Sequence, residues 1–257
     1  MTTRQLLGVQ ARVIAALILR ETRAAFGTSQ IGYLWAIITP AASVGLLVFI
    51  FSLIDRQPPF GASLALFFAT GILTLEFFNK LSNTLMTAFD ANKALLTYPL
   101  IKETDALFAR LILISVTYTL IMLLFYGSLC VLGLADVPAY PERLLMAFAS
   151  TAFLGFGFGT LNAVIMSLFH SWSHIEKVLT RPLFLLSGIF YIPSLLPPEA
   201  IAILRWNPVL HLIEWVRSGY YINYESTVLD QTYPIGLAVL MTLLGLSGER
   251  LFRKKRV

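Results

Sequence analysis

Residues 179–224 read LTRPLFLLSGIFYIPSLLPPEAIAILRWNPVLHLIEWVRSGYYINY, and the folding of this stretch decides how the chain lies in a membrane. An apolar run follows Pro182 and then meets prolines at 193, 197 and 198. The run from Leu183 to Leu196 has 14 residues. An upright helix needs about 20 residues to cross the hydrocarbon, and a run of about 10–14 more often dips in and returns. Two short helices are expected next. The first runs from about Pro198 to Trp206. The second starts at Asn207-Pro208, where Asn caps and Pro suits the first helical position, and its Val209, Leu212, Ile213, Val216 and Tyr220 fall at helical spacing. Broken backbone at membrane depth survives only where protein or a water-filled cavity satisfies it, and broken helices recur at transport sites. The stretch reads as a re-entrant hairpin at the outer mouth of a pathway. The simpler alternative is a kinked span with an interfacial loop.

The rest of the chain fits that setting. Of its 257 residues 57% are hydrophobic and 13% charged, with mean hydropathy +0.77. That composition points to an integral membrane protein and argues against a soluble enzyme domain. Six spans are expected, at about 33–54, 64–89, 106–134, 144–169, 179–196 with its hairpin, and 233–252, in an all-α fold. With the N-terminus inside, every Lys and Arg except Arg56, Arg143, Arg205 and Arg217 falls on the inner side. The positive-inside rule then places both termini in the cytoplasm, and the RKKR run at 253–256 marks the inner face without any need for nucleic acid. The lone Cys130 makes no intrachain disulfide. No long linker divides the chain, so 1–257 is read as one permease domain: an interface helix and its connection over 1–31, then the six-span bundle over 32–257.

The segment before the first span is interrupted by charge, with Arg20 and Arg23 where a signal peptide would be cleaved. On a helical wheel Arg4, Arg20 and Arg23 lie within about 80° of Arg12, while Leu6, Val13, Ile14, Leu17 and Ile18 lie at about 100–240°. The segment reads as a helix lying in the inner interface with its basic face out, either a plain anchor or one that also touches a partner subunit. Tyr33 and Trp35 fit an aromatic belt, and Pro40 can kink the first span.

Inside the second span stand Glu76, Asn79 and Lys80. Charge at membrane depth is costly and marks a candidate site. Glu76 and Lys80 at i, i+4 also suit a helical ion pair that spares the charge, and the pair is the preferred reading. Two inner loops carry short apolar segments. Asp90–Leu100 is read as a helix with Ala94, Leu95 and Leu96 exposed, and 172–178 places Trp172, Ile175 and Val178 at spacings of three; each suits either a partner surface or the headgroups. Gly155 and Gly159 form a G-x-x-x-G face for close helix packing. GFGFGTLN lacks the Lys-Ser/Thr of a phosphate loop.

Catalytic patterns are scarce. His170 and His174 have no third ligand at metal-binding spacing and no HExxH, so no metal is expected. No G-x-S-x-G is present. Tyr191, Trp206, His211, Trp215, Tyr220, Tyr221 and Tyr224 gather in the hairpin; flat rings with polar edges suit sugars and membrane interfaces alike. On the second short helix, His211, Trp215 and Ser218 make a polar-aromatic face suited to a cavity, and Glu214 and Arg217 at i, i+3 suit a pair that fixes the helix.

Three blocks, LRETRAAFGTSQIGYLWAIITP, FDANKALLTYPLIKETDALFAR and RWNPVLHLIEWVRSGYY, resemble the signatures of type-2 ABC exporter permeases, and most of all the KpsM-type inner-membrane subunit of capsular polysaccharide exporters. The resemblance runs in order over almost the whole chain. It implies a homodimer in the bacterial inner membrane, paired with two copies of an ATPase subunit that holds the ATP and Mg, with no cofactor in this chain. It implies a lipid-linked polysaccharide as cargo, and a periplasmic copolymerase-type adaptor and an outer-membrane channel as further partners. ATPase coupling then falls to Arg12, Arg20, Asp90, Asn92, Leu95, Leu96, Tyr98, Trp172 and Ile175. The inner mouth falls to Arg20, Arg23, Tyr33, Trp35, Lys102, Arg110 and Arg181, and the outer gate to Tyr191, Trp206, Asn207, His211, Trp215, Tyr220 and Tyr221. Exporters of O-antigen, teichoic acid or a lipid share the fold, and a membrane transferase acting on lipid-linked sugars is the reading from another class.

Overall fold

The computed structural model describes residues 3–26, 31–98 and 100–252, all helix, turn and coil among those described. The helices in order are α1 (Thr3–Phe26), α2 (Ile31–Leu53), α3 (Leu64–Met86), α4 (Ala88–Ala91), α5 (Glu103–Val131), α6 (Pro141–Leu168), α7 (Trp172–Thr180), α8 (Leu183–Leu186), α9 (Pro198–Leu204), α10 (Pro208–Tyr220) and α11 (Thr232–Phe252). Five of them, α2, α3, α5, α6 and α11, are long and apolar enough to cross a membrane. The expected RKKR stop lies outside the described residues.

The expected fifth span at 179–196 is not one helix. It consists of the end of α7, the single turn of α8, a reversal at Ser187–Ile192 and a 3-10 turn at Pro193–Leu195. Proline chemistry explains the breaks. Pro182 interrupts the path from α7 into α8, and Gly188 takes φ +77° in the reversal, where a Cβ would stand 2.9 Å from Leu210. The two downstream helices form as expected. Pro198 opens α9, and Asn207 caps α10 by accepting from Val209 N at 3.0 Å.

α3 is the axis of the bundle. Phe67, Phe68, Phe77, Phe78, Leu81 and Leu85 are all buried, packed among α2, α5, α6 and α10. In lipid, helices associate through close packing rather than through removal of apolar surface from water, and small residues set how close they come. A Cβ at Gly159 would stand 2.6 Å from Leu85 Cβ, and one at Gly155 3.1 Å from Leu81, so the G-x-x-x-G face does its expected job against α3. The next face of α6 meets α11 equally closely: a Cβ on Gly157 would lie 2.8 Å from the Ala238 carbonyl. By contrast α2 lies at the edge, with Leu34, Trp35, Ile38, Leu46 and Phe49 exposed.

Candidate functional site

At the end of the bundle that carries α1, a polar network ties three elements together. Arg20 on α1 donates to Asn92 Oδ1 and to the Ala91 carbonyl at 3.1 Å. Asn92 in turn donates to Glu21 Oε1 and to the Ala88 carbonyl, both at 2.9 Å. Glu21 pairs with Arg110 of α5 at 3.0 Å, and Arg110 also donates to Thr87 Oγ1 at 3.1 Å and to the Thr84 carbonyl. Within the first turn of α5, Asp105 caps its helix by accepting from Lys102 N at 2.9 Å and receives a bond from Gln10 of α1. The basic residues Arg20 and Arg110 are thus held by this chain's own groups. Asn92 is buried while Arg12, Arg23 and Lys102 stay exposed. The side chain of Tyr33 lies outside the described residues; Trp35 is exposed on α2.

The expected helix over 90–100 does not form. The chain makes one turn of α4 and then successive turns, closed by bonds such as Leu95 N to the Asn92 carbonyl at 2.8 Å and Tyr98 N to the Leu95 carbonyl at 3.1 Å. Asn92 explains the stop, because its side chain caps Ala88 and reaches across to Glu21 instead of continuing a helix. Tyr98 and Leu100 are exposed, Asp90 is exposed, and Leu95 and Leu96 are half-buried. In the second loop, the Trp172 indole turns inward and donates to Asn162 of α6 at 3.0 Å, leaving Ile175, Val178 and Leu179 exposed on α7. Glu176 is buried there, and neither carboxylate oxygen has a hydrogen-bond partner. Burial pushes this carboxyl above the ordinary range.

Midway along α3, Glu76 makes no ion pair with Lys80 among the described residues. The expected pair is replaced by an open arrangement: Lys80 points to an exposed position and Glu76 faces Ser43 of α2. Glu76, Asn79 and Asn83 line two clefts, one of about 540 Å³ toward α7–α8 and one of about 410 Å³ toward α5.

The opposite end holds the most densely bonded site, built on α10. Every residue of Val209–Tyr220 is buried. Arg217 has no exposed surface. It donates to Glu214 at 3.2 Å, to the Tyr191 carbonyl at 3.2 Å and to the Ile189 carbonyl at 3.4 Å, and stands 4.0 Å from the centre of the Phe67 ring. Glu214 also accepts from Tyr224 at 2.9 Å and from Ser226 at 2.7 Å. The amide of Asn207 donates to Ser187 at 2.9 Å and to the Leu186 carbonyl at 3.2 Å. Side chains from α10 and its cap therefore satisfy the backbone freed where the preceding segment breaks, as broken backbone at membrane depth requires. His211 Nδ1 accepts from Asp230 N at 3.0 Å, which puts the proton on Nε2, 2.8 Å from the Arg205 carbonyl.

The polar-aromatic face expected to line a cavity is not open: His211, Trp215 and Ser218 are all buried within the chain. The cause is that α10 packs on α6, α3 and α11 at once. Tyr220 and Tyr221 join Tyr126, Tyr224 and Phe60 in an aromatic cluster with ring centres 4.9–5.3 Å apart in its closest pairs. Trp206 is exposed and Tyr191 half-buried. Glu21, which adjoins Arg20, is absent from the residues expected from sequence, because the helical wheel of α1 is defined by its arginines and its apolar residues and gives a lone acid no partner. Among the described residues no three His, Cys, Asp or Glu side chains gather to hold a metal ion.

The ABC-2 type transporter family matches residues 12–221, most of the chain. The chain belongs to that family. It is 28% identical over 243 residues to an Escherichia coli protein named polysialic acid transport protein KpsM, covering 91% of this chain and 94% of the relative. It is 28% identical to the capsule polysaccharide export inner-membrane protein BexB of Haemophilus influenzae, over 88% of this chain and 86% of that one. The similarly named CtrC of Neisseria meningitidis serogroup B is 27% identical, over 96% and 94%. The buried network, the broken segment and α10 all lie within or beside the family match.

Proposed function

We propose that this chain is the membrane subunit of an ATP-driven exporter that carries a lipid-linked capsular polysaccharide across the bacterial inner membrane. The observation that carries the reading is end-to-end similarity to transport and export proteins of capsule polysaccharides, in a chain whose sequence holds no phosphate loop of its own. Energy then comes from two copies of a separate ATPase. Their docking face is the end of the bundle where α1, the 92–98 turns and α7 lie, which is cytoplasmic by the charge rule. The path lies between two copies of the chain rather than through one. The centre of the bundle is filled by the phenylalanines of α3, whereas the polar face of α3 opens into clefts beside α2. At the other end, Trp206 and Tyr191 meet the emerging glycan, and the buried α10 holds them in place. A periplasmic adaptor and an outer-membrane channel continue the route.

Deleting the gene tests this. Surface polysaccharide should disappear while the polymer accumulates inside the cell, and both should revert when the chain is restored. A surface coat that persists, or loss of the polymer from inside as well as outside, would reject the export role.

A further inference from the structure

The ring of His211 fastens together two segments at the outer end. α9 ends at Leu204, and the chain then turns a corner into α10. The carbonyls at that corner are all taken. Ile203 accepts from Trp206 N at 3.2 Å and Leu204 from Asn207 N at 2.9 Å. Trp206 accepts from the Tyr233 hydroxyl, and Arg205 accepts from His211 Nε2, both at 2.8 Å. The other nitrogen of the same ring accepts from Asp230 N at 3.0 Å. Asp230 opens α11: its carboxylate accepts from Thr232 N at 2.9 Å, Thr232 Oγ1 at 2.7 Å and Tyr233 N at 3.3 Å. One buried imidazole thus joins the end of α9 to the start of α11. Both of its bonds exist only while the ring is neutral, one nitrogen donating and the other accepting. A second proton makes Nδ1 a donor facing the N–H of Asp230. That amide then loses its partner, or the Asp230 carboxylate leaves α11 to take the new N–H; the join opens either way.

We propose that His211 is a proton-operated latch: neutral, it fastens the outer corner at Trp206 to the start of α11, and protonated from the outer side it releases the 221–231 segment. Imidazole is the side chain whose ordinary titration falls between about pH 5 and about pH 8. The charged groups on the surrounding elements are committed, exposed or distant. On α10, Glu214 is bound by Arg217, Tyr224 and Ser226. Glu199 and Arg205 are exposed at the two ends of α9, and Glu225 and Asp230 are exposed before α11. α3 has no titratable group ahead of Glu76, and Glu142 and Arg143 of α6 lie by Gly219, at the far end of α10. From α11 comes Tyr233, its ring centre 5.2 Å from that of His211. Bonds from Thr232 hold the Asp230 carboxyl below its ordinary value, so it stays ionised while the imidazole titrates. Opening the latch leaves the Trp206 corner with the Tyr233 bond alone. An acid medium outside then slows export by misplacing that aromatic rim, a clause that rests on the exporter reading; the latch itself does not.

The test uses the full-length purified chain in detergent at about pH 7.5 and about pH 5, either side of ordinary imidazole titration. The other two histidines, His170 and His174, are exposed near α7. In His170→Gln/His174→Gln, nitrogen NMR of the one remaining imidazole reads the proton on each of its nitrogens. At the higher pH the proton should sit on Nε2 alone, and at the lower pH both nitrogens should carry one. Amide exchange read by mass spectrometry, corrected for the intrinsic effect of pH, follows the release. In the wild-type chain, peptides over 221–231 should lose protection about three- to tenfold at the lower pH, as the loss of one hydrogen bond implies, while peptides over α3 keep theirs. His211→Asn keeps an acceptor in the place of Nδ1 and takes no proton, so its 221–231 peptides should be equally protected at both pH values. A proton on Nδ1 at the higher pH, a ring still neutral at the lower, or protonation with unchanged exchange at 221–231 would each overturn the proposal, and none of these needs a change at His211. In cells, the ratio of export in acid to export in neutral medium should be lower for wild type than for His211→Asn; equal ratios would refute the role in export. Failure of the exporter reading shows differently, as no export defect when the whole gene is removed.

Discussion

Arg217 shows how one residue carries a broken segment. Its guanidinium has no exposed surface, yet it holds Glu214 and two backbone carbonyls at the reversal. Removing one member of a buried pair leaves an uncompensated charge and costs about 3–5 kcal/mol. Arg217→Met should therefore lower thermal stability in detergent by that order, and Glu214→Gln in the same chain should recover part of the loss. Equal stability of Arg217→Met and wild type would show that the reversal is held by something else. Glu176 is the opposite case, a buried carboxyl with nothing bonded to it. Its folded pKa is raised, so the folded protein holds this proton more tightly than the unfolded chain does. The associated stability is complete below the ordinary carboxylate pKa and is lost as pH rises through the raised value. Glu176→Gln removes the titration, so its stability relative to wild type should rise with pH as the wild-type carboxyl ionises. A gap independent of pH would show that the carboxyl finds a partner.

Among the elements, α1 is held by named bonds rather than by its amphipathic character alone. Glu21 joins Arg110 of α5 and Asn92 at the loop, so one substitution loosens three elements. In Glu21→Ala, α1 should be cleaved by added protease at least about tenfold faster, since the loss of about 1.5–3 kcal/mol of charged hydrogen bonding raises the open population by that order. Unchanged cleavage would leave α1 held by Leu17 and its neighbours. Much of the element plan was legible beforehand because its signals are local. The Asn207-Pro208 start, the spanning runs of α2, α3, α5, α6 and α11, and the G-x-x-x-G contact each depend on residues close in sequence. What stayed hidden depends on partners far away. Asn92 reaches Glu21 across 71 positions, and that bond competes with the helix expected at 90–100. Glu76 faces α2 rather than Lys80, a choice of rotamer that i, i+4 spacing does not fix. The burial of His211, Trp215 and Ser218 follows from α10 lying among three other helices, which the periodicity of α10 alone cannot reveal.

At the scale of the whole molecule, the filled core and the buried α10 constrain any gating motion. A helix packed on α3, α6 and α11 and bonded to the reversal through Arg217 and Asn207 moves outward only by exposing a buried ion pair, a cost set by the same desolvation that makes such pairs intolerant of disruption. The exposed Trp206, just before the cap of α10, makes no ion pair: its ring lies edge-on to Tyr233, 6.5 Å between centres, and its carbonyl accepts from Tyr233 at 2.8 Å. Rigid-body or hinge movement of whole elements is the way such a packed end opens. Single cysteines at 206, 211, 215 and 218 in a Cys130→Ser background, probed with a membrane-impermeant thiol reagent in the complex with its ATPase, separate rim from strut. Position 206 should label readily, and its rate should fall when glycan occupies the path. Positions 211, 215 and 218 should resist the reagent with and without ATP, because their side chains face the interior of the bundle. If 215 or 218 labels only when ATP is trapped, α10 itself swings open, and the rigid-strut account of this end of the molecule is wrong.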